Sequence, residues 1–293
     1  MLCLLRALVV AVALQPPAAA PPLAVTMTAR SIQPGELIVL TVAGADPAAL
    51  RVRAFEREWQ AFTVSAGSVR VLIGIDLAVR PGRYAIEISA GGTQATRELV
   101  VAPKRFATRR LKVDPDLVNP PEEARARIER ETRELERAWA ASASAPLWSG
   151  PFERPVAEPA NSAFGTRSFY NGEARTPHGG ADFASPEGTP IKAPGGGKVV
   201  LASSRYFTGG TVVIDHGLGV FSLFAHLSRI DVAAGDTIAA GAAIGAVGAT
   251  GRVTGPHLHW AVRVNGARVD PVSLLSVLGV HSPPARTIRS RHP

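Results

Sequence analysis

From about Leu23 to Val101 the chain alternates apolar and polar residues in short runs. Val39-Leu40-Thr41-Val42, Leu50 to Phe55, Val69 to Ile73 and Arg83 to Ile88 each alternate or run apolar over one strand length. Pro34-Gly35, Pro81-Gly82 and Gly91-Gly92 separate them as turn signals. Several short strands at regular spacing predict a small β-sandwich of immunoglobulin-like type over residues 23–102. No His, Asp or Glu clusters there at a chemical spacing, so this unit reads as a targeting or spacing module.

The period then changes. Residues 103–150 read as a linker holding one helix over 120–140. Asn119 is the expected N-cap, Pro120 the first helical residue, and Glu122 the acidic residue three beyond the cap. Ala124, Ile128, Leu135 and Ala138 form a thin apolar stripe, with Glu123–Arg127 and Glu129–Arg133 as i,i+4 pairs. Such a helix is expected to be solvated and packed on one domain. From Pro151 to Leu278 strands return: Lys198 to Ala202, Gly210 to Asp215, Val220 to Leu227, and His257 to Val264 with the hairpin turn Asn265-Gly266 after it. A helical period reappears only over Pro271 to Leu278, and the Pro- and Arg-rich tail, 279–293, is expected to be disordered.

Composition narrows the picture. Hydrophobic residues make up 46% of the 293, enough for a sizeable core. The formal charge of +8 comes from scattered arginines without interleaved aromatics, which argues against nucleic acid as a partner. Arg6 and the apolar Ala7 to Leu14 form an export signal over 1–22, too short to span a bilayer, with Ala18-Ala19-Ala20 as a candidate cleavage signal. An uncleaved anchor is the alternative. The single cysteine, Cys3, lies inside that signal, so the exported chain has no thiol, and any metal site must use His and carboxylate ligands.

Those residue types cluster in the C-terminal half. In the strand beginning at His257, alternation puts His257 and His259 on one face and Leu258, Trp260 and Val262 on the other. His178 and Asp182 lie four apart across Gly179-Gly180, and i and i+4 share a face where that segment is extended. Two His and one carboxylate make a ligand set for catalytic zinc with a fourth position open to water. His226 ends the strand Val220 to Leu227, where alternation places it with Ser222 and Phe224. His216, between Asp215 and Gly217, fits a structural turn; Asp215 and Asp236 sit beside turn glycines; His281 and His292 lie in the tail.

Between about Phe164 and Leu275 the sequence resembles the lysostaphin/LytM-type zinc metallopeptidases. The resemblance is carried by His178-Gly179-Gly180-Ala181-Asp182-Phe183, Gly188-Thr189-Pro190-Ile191-Lys192-Ala193, Ile214-Asp215-His216-Gly217, Ala225-His226-Leu227-Ser228, Gly248-Ala249-Thr250-Gly251 and Gly255-Pro256-His257-Leu258-His259. It implies a lysostaphin-type antiparallel β-sheet (duplicated hybrid motif) peptidase domain over 151–278, and a mainly β chain overall. It also implies Zn2+ on His178, Asp182 and His259, with His226 and His257 assisting catalysis in roles not divided between them. The implied activity is hydrolysis of peptide cross-links in bacterial peptidoglycan, by an exported monomer of the periplasm or cell envelope that meets the membrane only through its signal. Phe224 departs from the Tyr often found there, which is expected to remove a hydroxyl from the site edge. The alternative is a non-enzymatic or latent LytM-like binding module that activates cell-wall amidases; retention of all five residues speaks against the non-enzymatic form, with a latent enzyme as the intermediate case. The D-Ala-D-Ala carboxypeptidase type of site spaces its first His and Asp more widely. Loops around Tyr170-Asn171-Gly172 and Ser203 to Gly210 are expected to line the substrate groove.

Overall fold

A computed structural model describes residues 23–65, 67–112, 120–162, 164–279 and 286–288. The export signal with Cys3, the Asn119 cap, His281 and His292 lie outside the described residues. The N-terminal half forms β1 (Ala24–Ala29), β2 (Leu37–Ala43), β3 (Arg51–Ala54), β4 (Arg57–Trp59), β5 (Ala61–Ser65), β6 (Ser68–Gly74), β7 (Gly82–Ala90) and β8 (Thr93–Val101). Strands β1, β2, β6 and β5 make one antiparallel sheet, and β4, β3, β7 and β8 make another. Alternation turns Leu40, Val71 and Ile73 of the first sheet and Val52, Ile86 and Ile88 of the second into one shared core. Apolar pattern alone marks four of these eight strands. Strand β8 escapes it because Thr93 to Glu98 alternates without large apolar side chains.

After β9 (Thr108–Leu111) comes α1 (Glu122–Ala140). It starts two residues later than the capping pattern predicts: Pro121 is the N-cap and makes no side-chain cap bond. Arg127 pairs with Glu131 at 2.7 Å instead of with Glu123, whereas Glu129–Arg133 forms as expected at 3.8 Å. Glu131 also accepts the backbone N–H of Tyr206 at 2.8 Å, so the helix grips the loop after a strand of the large sheet.

The C-terminal half adds β10 (Ala160–Ser162), β11 (Arg167–Tyr170), β12 (Glu173–Ala174), β13 (Gly180–Phe183), β14 (Pro190–Lys192), β15 (Gly197–Arg205), β16 (Gly209–Asp215), β17 (Val220–Leu227), β18 (Arg229–Ile230), β19 (Thr237–Ile238), β20 (Ala243–Ala246), β21 (Leu258–Val264), β22 (Ala267–Val269), α2 (Pro271–Leu278) and β23 (Arg286–Ile288). The large sheet is antiparallel, ordered β10-β13-β21-β17-β16-β15-β19, with β22 hairpinned onto β21. Asn265 and Gly266 both take positive φ (46° and 77°), as the two-residue turn requires. Smaller sheets join β14, β20 and β18, and β12, β11 and β9, the last pair parallel. Within the tail, the described residues 286–288 form β23, which pairs antiparallel with the outer edge of β1.

The two faces of the large sheet have different cover. Phe224 and Trp260, stacked at 6.3 Å, lie on the face that joins the main core. The other face carries Leu201, Val213, Phe221, Leu223 and Ala225, over which α1 lays Leu135 and Trp139. His216 is fully buried between the Gly196 carbonyl (2.8 Å) and Ser222 Oγ (2.9 Å). Asp215 accepts Ser142 Oγ–H and the N–H groups of Ala143 and Gly217, tying the chain after α1 to the sheet. The structural turn expected of this pair is what forms, and Asp236 likewise accepts the Ala233 N–H within its own turn.

A buried ionic knot docks the two halves. Arg30 reaches both Glu36 and Asp270 at 2.7 Å, and Lys104 reaches Glu36 at 3.1 Å. Ser273 donates to Glu36 and accepts from the Leu37 N–H. Burial alone would raise the Glu36 carboxyl, but Arg30, Lys104 and Ser273 hold it below its ordinary value. Beside the knot, Arg268 pairs with Asp76, and Gly74 leaves room for Ala267 and Val269.

Removing one partner of a buried pair strands the others, so Glu36→Ala is expected to cost about 3–5 kcal/mol in urea unfolding. Glu36→Gln should cost less. His216 supplies a pH test. Burial is the largest influence on it and pushes it down to about 4, overriding the carbonyl bond, so the fold holds it neutral. Its folded value lies below its unfolded one; its contribution is therefore complete above pH ~6.5 and is lost as pH falls from there towards about 4. His216→Gln should narrow the difference in unfolding free energy between pH 7 and pH 4.5 by roughly 2–3 kcal/mol.

Candidate metal centre

The centre is set by the register of three strands. Antiparallel pairing puts Asp182 of β13 directly opposite His259 of β21, and His259 opposite Ala225 of β17. Opposed residues share a face, so Asp182 and His259 point together, on the face away from Trp260. His178 precedes β13 and is held extended by two backbone bonds, Gly165 N–H to its carbonyl and its own N–H to the Thr166 carbonyl. Gly180 is required: a Cβ there would strike the Trp260 carbonyl and come within 2.8 Å of the His259 ring. Gly179 has open space around it, so of the two glycines only Gly180 makes room.

Three atoms converge. His178 Nε2 and His259 Nδ1 lie 3.0 and 2.8 Å from Asp182 Oδ1, and 3.0 Å from each other. All three residues are partly buried and form a ligand set in which every donor atom lies within 4.8 Å of the others. A tetrahedral ion with ligands at about 2.0–2.1 Å would set them roughly 3.3 Å apart, a few tenths beyond the observed separations. Two ring nitrogens facing each other at 3.0 Å while both face one oxygen cannot all be satisfied by protons. A cation accommodates all three lone pairs, and one carboxylate with two imidazoles suits zinc. Burial acts to raise the Asp182 carboxyl, yet the hydrogen bonds and charge of His178 and His259 hold it well below the usual range. His259 moves down, because its burial outweighs the Asp182 bond.

His226 and His257 flank this triad. Their rings are 4.9 Å apart, the His226 ring is 6.1 Å from that of His259, and His257 Nε2 is 4.0 Å from Asp182 Oδ1. His257 arrives there by the strand alternation already noted. His226 does not. Alternation places residue 226 with Ser222 and Phe224, on the core face; the structure turns it over. Between the pairs Gly210↔Leu227 and Val212↔Phe224, β17 spends one residue more than β16, and His226 takes φ 70°. This bulge re-aims the ring towards the triad. The Thr208 carbonyl accepts the His226 N–H, which fixes the turn.

The same reversal corrects the expectation about Phe224. It is fully buried against Trp260 on the opposite face, so the absent hydroxyl is missing from the core and not from the site edge.

Carbonyls orient both flanking rings. His226 Nδ1 donates to Thr250 and His257 Nδ1 to Gly255, each at 2.9 Å. A carbonyl only accepts, so the proton is on Nδ1 in each ring and Nε2 carries the lone pair. Burial, the largest influence, lowers His226 to about 4 despite the Thr250 bond. Thr250 is itself held, its hydroxyl donating to the Leu227 carbonyl and accepting the Gly210 N–H. Sequence reading passed over Thr250 and Gly255 as actors because backbone carbonyls leave no side-chain signal.

Beside His178 a cleft of about 370 Å³ is lined by Arg109, Pro120, Ser168, Tyr170, Arg175, Thr176, Phe207 and Arg252. Tyr170 and Phe207 come from the two loops expected to line the groove. The three arginines do not share a sequence neighbourhood and were not anticipated.

The model of Peptidase family M23 matches residues 176–271. DD-carboxypeptidase/endopeptidase Mpg of Neisseria meningitidis is 45% identical over 97 residues, 33% of this chain and 22% of that protein. Peptidoglycan DD-endopeptidase ShyA of Vibrio cholerae is 46% identical over 94 residues, 32% of this chain and 22% of that protein. These matches therefore span about a fifth of the curated relatives. A crystal structure assigned to peptidase M23 from Pseudomonas aeruginosa is 35% identical, superposes with a TM-score of 0.67, and is matched over 84% of this chain and 95% of its own. That likeness runs through both halves of the molecule, and the chain belongs to the M23 peptidase family.

Proposed function

We propose that the protein is a zinc-dependent endopeptidase that hydrolyses peptide cross-links of bacterial peptidoglycan. The convergence of His178 Nε2, Asp182 Oδ1 and His259 Nδ1, flanked by the His226 and His257 imidazoles, carries this reading. His178, Asp182 and His259 would hold a zinc ion, which would supply Lewis acidity for a peptide carbonyl and lower the pKa of a water. Everything else falls to the chain. His226 and His257, each with Nδ1–H committed to a carbonyl, offer Nε2 as a proton acceptor on the same side of the site. The imidazolium formed can then donate to the developing oxyanion and return the proton to the leaving amine. Burial holds His226 below its ordinary value, so its ring is neutral at pH 7 and its Nε2 lone pair is free of a proton.

The relatives named as peptidoglycan DD-endopeptidases support that substrate class. A thiol-free exported chain working in the periplasm or cell envelope accords with it, as does a monomer whose N-terminal pair of sheets is an immunoglobulin-like sandwich serving to place the catalytic half. Among the described residues no helix is long and apolar enough to cross a membrane.

Substitution separates the ligand and proton-transfer roles. His259→Ala should abolish stoichiometric zinc and lower release of cross-bridge peptides from purified peptidoglycan by more than about a hundredfold. His226→Ala and His257→Ala should retain zinc and lose about 10²–10⁴ in rate. Unchanged zinc content and activity in His259→Ala would overturn the ligand assignment. A wild-type protein that binds zinc, cuts no peptidoglycan and activates an amidase would overturn the enzyme reading.

A further inference from the structure

The turn that joins β15 to β16, Tyr206 to Gly210, is tied to α1 at one end and to His226 at the other. At the outer end two consecutive residues are fastened to the helix. The buried Arg205 guanidinium donates to the Glu131 carbonyl and reaches the Glu134 carboxylate at 3.4 Å. The Tyr206 N–H donates to Glu131 Oε2 at 2.8 Å, and Arg127 Nε, donating to Oε1 at 2.7 Å, keeps that carboxylate in place. The Arg127 guanidinium also lies 5.9 Å from the centre of the Tyr206 ring.

At the inner end the same turn holds His226 in two ways. The Thr208 carbonyl accepts the His226 N–H at 2.8 Å, which fixes the backbone. Gly210 donates its N–H to Thr250 Oγ1 at 2.8 Å, and the Thr250 carbonyl accepts the His226 Nδ1–H, which fixes the ring. Between these anchors Gly209, at φ 58°, packs so closely on Thr250 that a Cβ would strike its hydroxyl and carbonyl. The Phe207 carbonyl accepts the Arg252 N–H at 2.9 Å, which joins the two loops further along.

His226 needs this support. Its φ of 70° is one that a residue with a side chain keeps only where the surroundings impose it. Only Phe207 separates Tyr206 from Thr208, so a shift at the outer anchor reaches the carbonyl that holds His226. Glu131 lies outside residues 176–271, the segment that the family model matches, so the site takes this anchor from the linker helix.

Resting on the endopeptidase reading, we propose that Glu131 of α1 is a positioning residue for His226, acting through the Tyr206 N–H and the Thr208 carbonyl. The linker helix thereby sets the rate of the proton-transfer step and leaves the metal untouched.

The test uses the zinc-loaded, 15N-labelled full chain. Its readouts are the maximal rate of cross-bridge peptide release from purified peptidoglycan, the zinc content, and solvent exchange of the His226 amide. Glu131→Ala should lower the rate about tenfold to a hundredfold with zinc content unchanged. Its His226 amide should exchange about tenfold or more faster than that of wild type. Glu131→Asp, one methylene short of Tyr206, should fall with the alanine variant. Glu131→Gln keeps an acceptor oxygen at full reach and should stay within about threefold of wild type on both rates. Glu129→Ala removes an exposed ion pair from the same helix and should match wild type, which controls for helix stability.

A wild-type rate, or an unchanged His226 amide, in Glu131→Ala would overturn the proposal. So would equal losses in Glu131→Ala, Glu131→Gln and Glu129→Ala, the mark of a helix that serves stability alone. Where Glu131→Ala does not fold, the contrast between Glu131→Asp and Glu131→Gln decides the matter. A wild type that cuts no peptidoglycan would sink the endopeptidase reading, and the His226 amide in the variants would then uphold or overturn the positioning role by itself.

Discussion

Everything in this molecule that bears on chemistry depends on one backbone register, the pairing of Asp182 with His259 across β13 and β21. A slip of a single residue would send one of the two side chains to the opposite face and dissolve the triad. The register is secured from the buried side. Phe183, Leu258 and Trp260 are essentially without exposure, and moving any of them to the site face would unmake the core. The cost of misplacing the ligands is thus tied to hydrophobic burial, which is far larger than any preference the ligands have for each other. Gly180 completes the constraint, because the close approach of the strands there leaves no volume for a side chain.

Two further layers turn a ligand set into a site. The bulge in β17 brings His226 over, and the Thr250 and Gly255 carbonyls settle the tautomers of His226 and His257. Thr250 is braced in turn by Leu227 and Gly210, so a threonine and two glycine-rich turns determine which nitrogen faces the site. Helix α1 acts at longer range. By packing Leu135 and Trp139 on the open face and holding the Tyr206 N–H, it stiffens the loop that presents Phe207 to the cleft. The ionic knot around Glu36 fastens the N-terminal sheets to α2, which follows the hairpin of β21 and β22.

The sequence made the alternating features legible. His257 and His259, separated by Leu258 on a strand with an apolar reverse face, could be placed on one side before any coordinates. The hairpin at Asn265-Gly266 and the helix over 271–278 were equally readable, because each depends on local chemistry. What escaped was non-local or irregular. The bulge that re-aims His226 is set by pairing with β16, so alternation assigned it to the wrong face and Phe224 to the wrong role. The Arg109, Arg175 and Arg252 grouping spans more than half the chain's catalytic and linker sequence and has no periodicity. The pairing of β23 with β1 joins the two ends of the chain, beyond any local pattern. The capping pattern at Asn119-Pro120 misled by two residues because the helix takes its stability from packing on the sheet, not from its cap.

The central claim is that three side chains, two imidazoles and one carboxylate, hold one metal ion while His226 and His257 stand outside its coordination. X-ray absorption at the zinc edge on the purified chain tests it most directly. One zinc per chain is predicted, with two imidazole nitrogens and the remaining positions oxygen, all at about 2.0–2.1 Å. Three or four imidazoles in the first shell, or no stoichiometric metal at all, would contradict it.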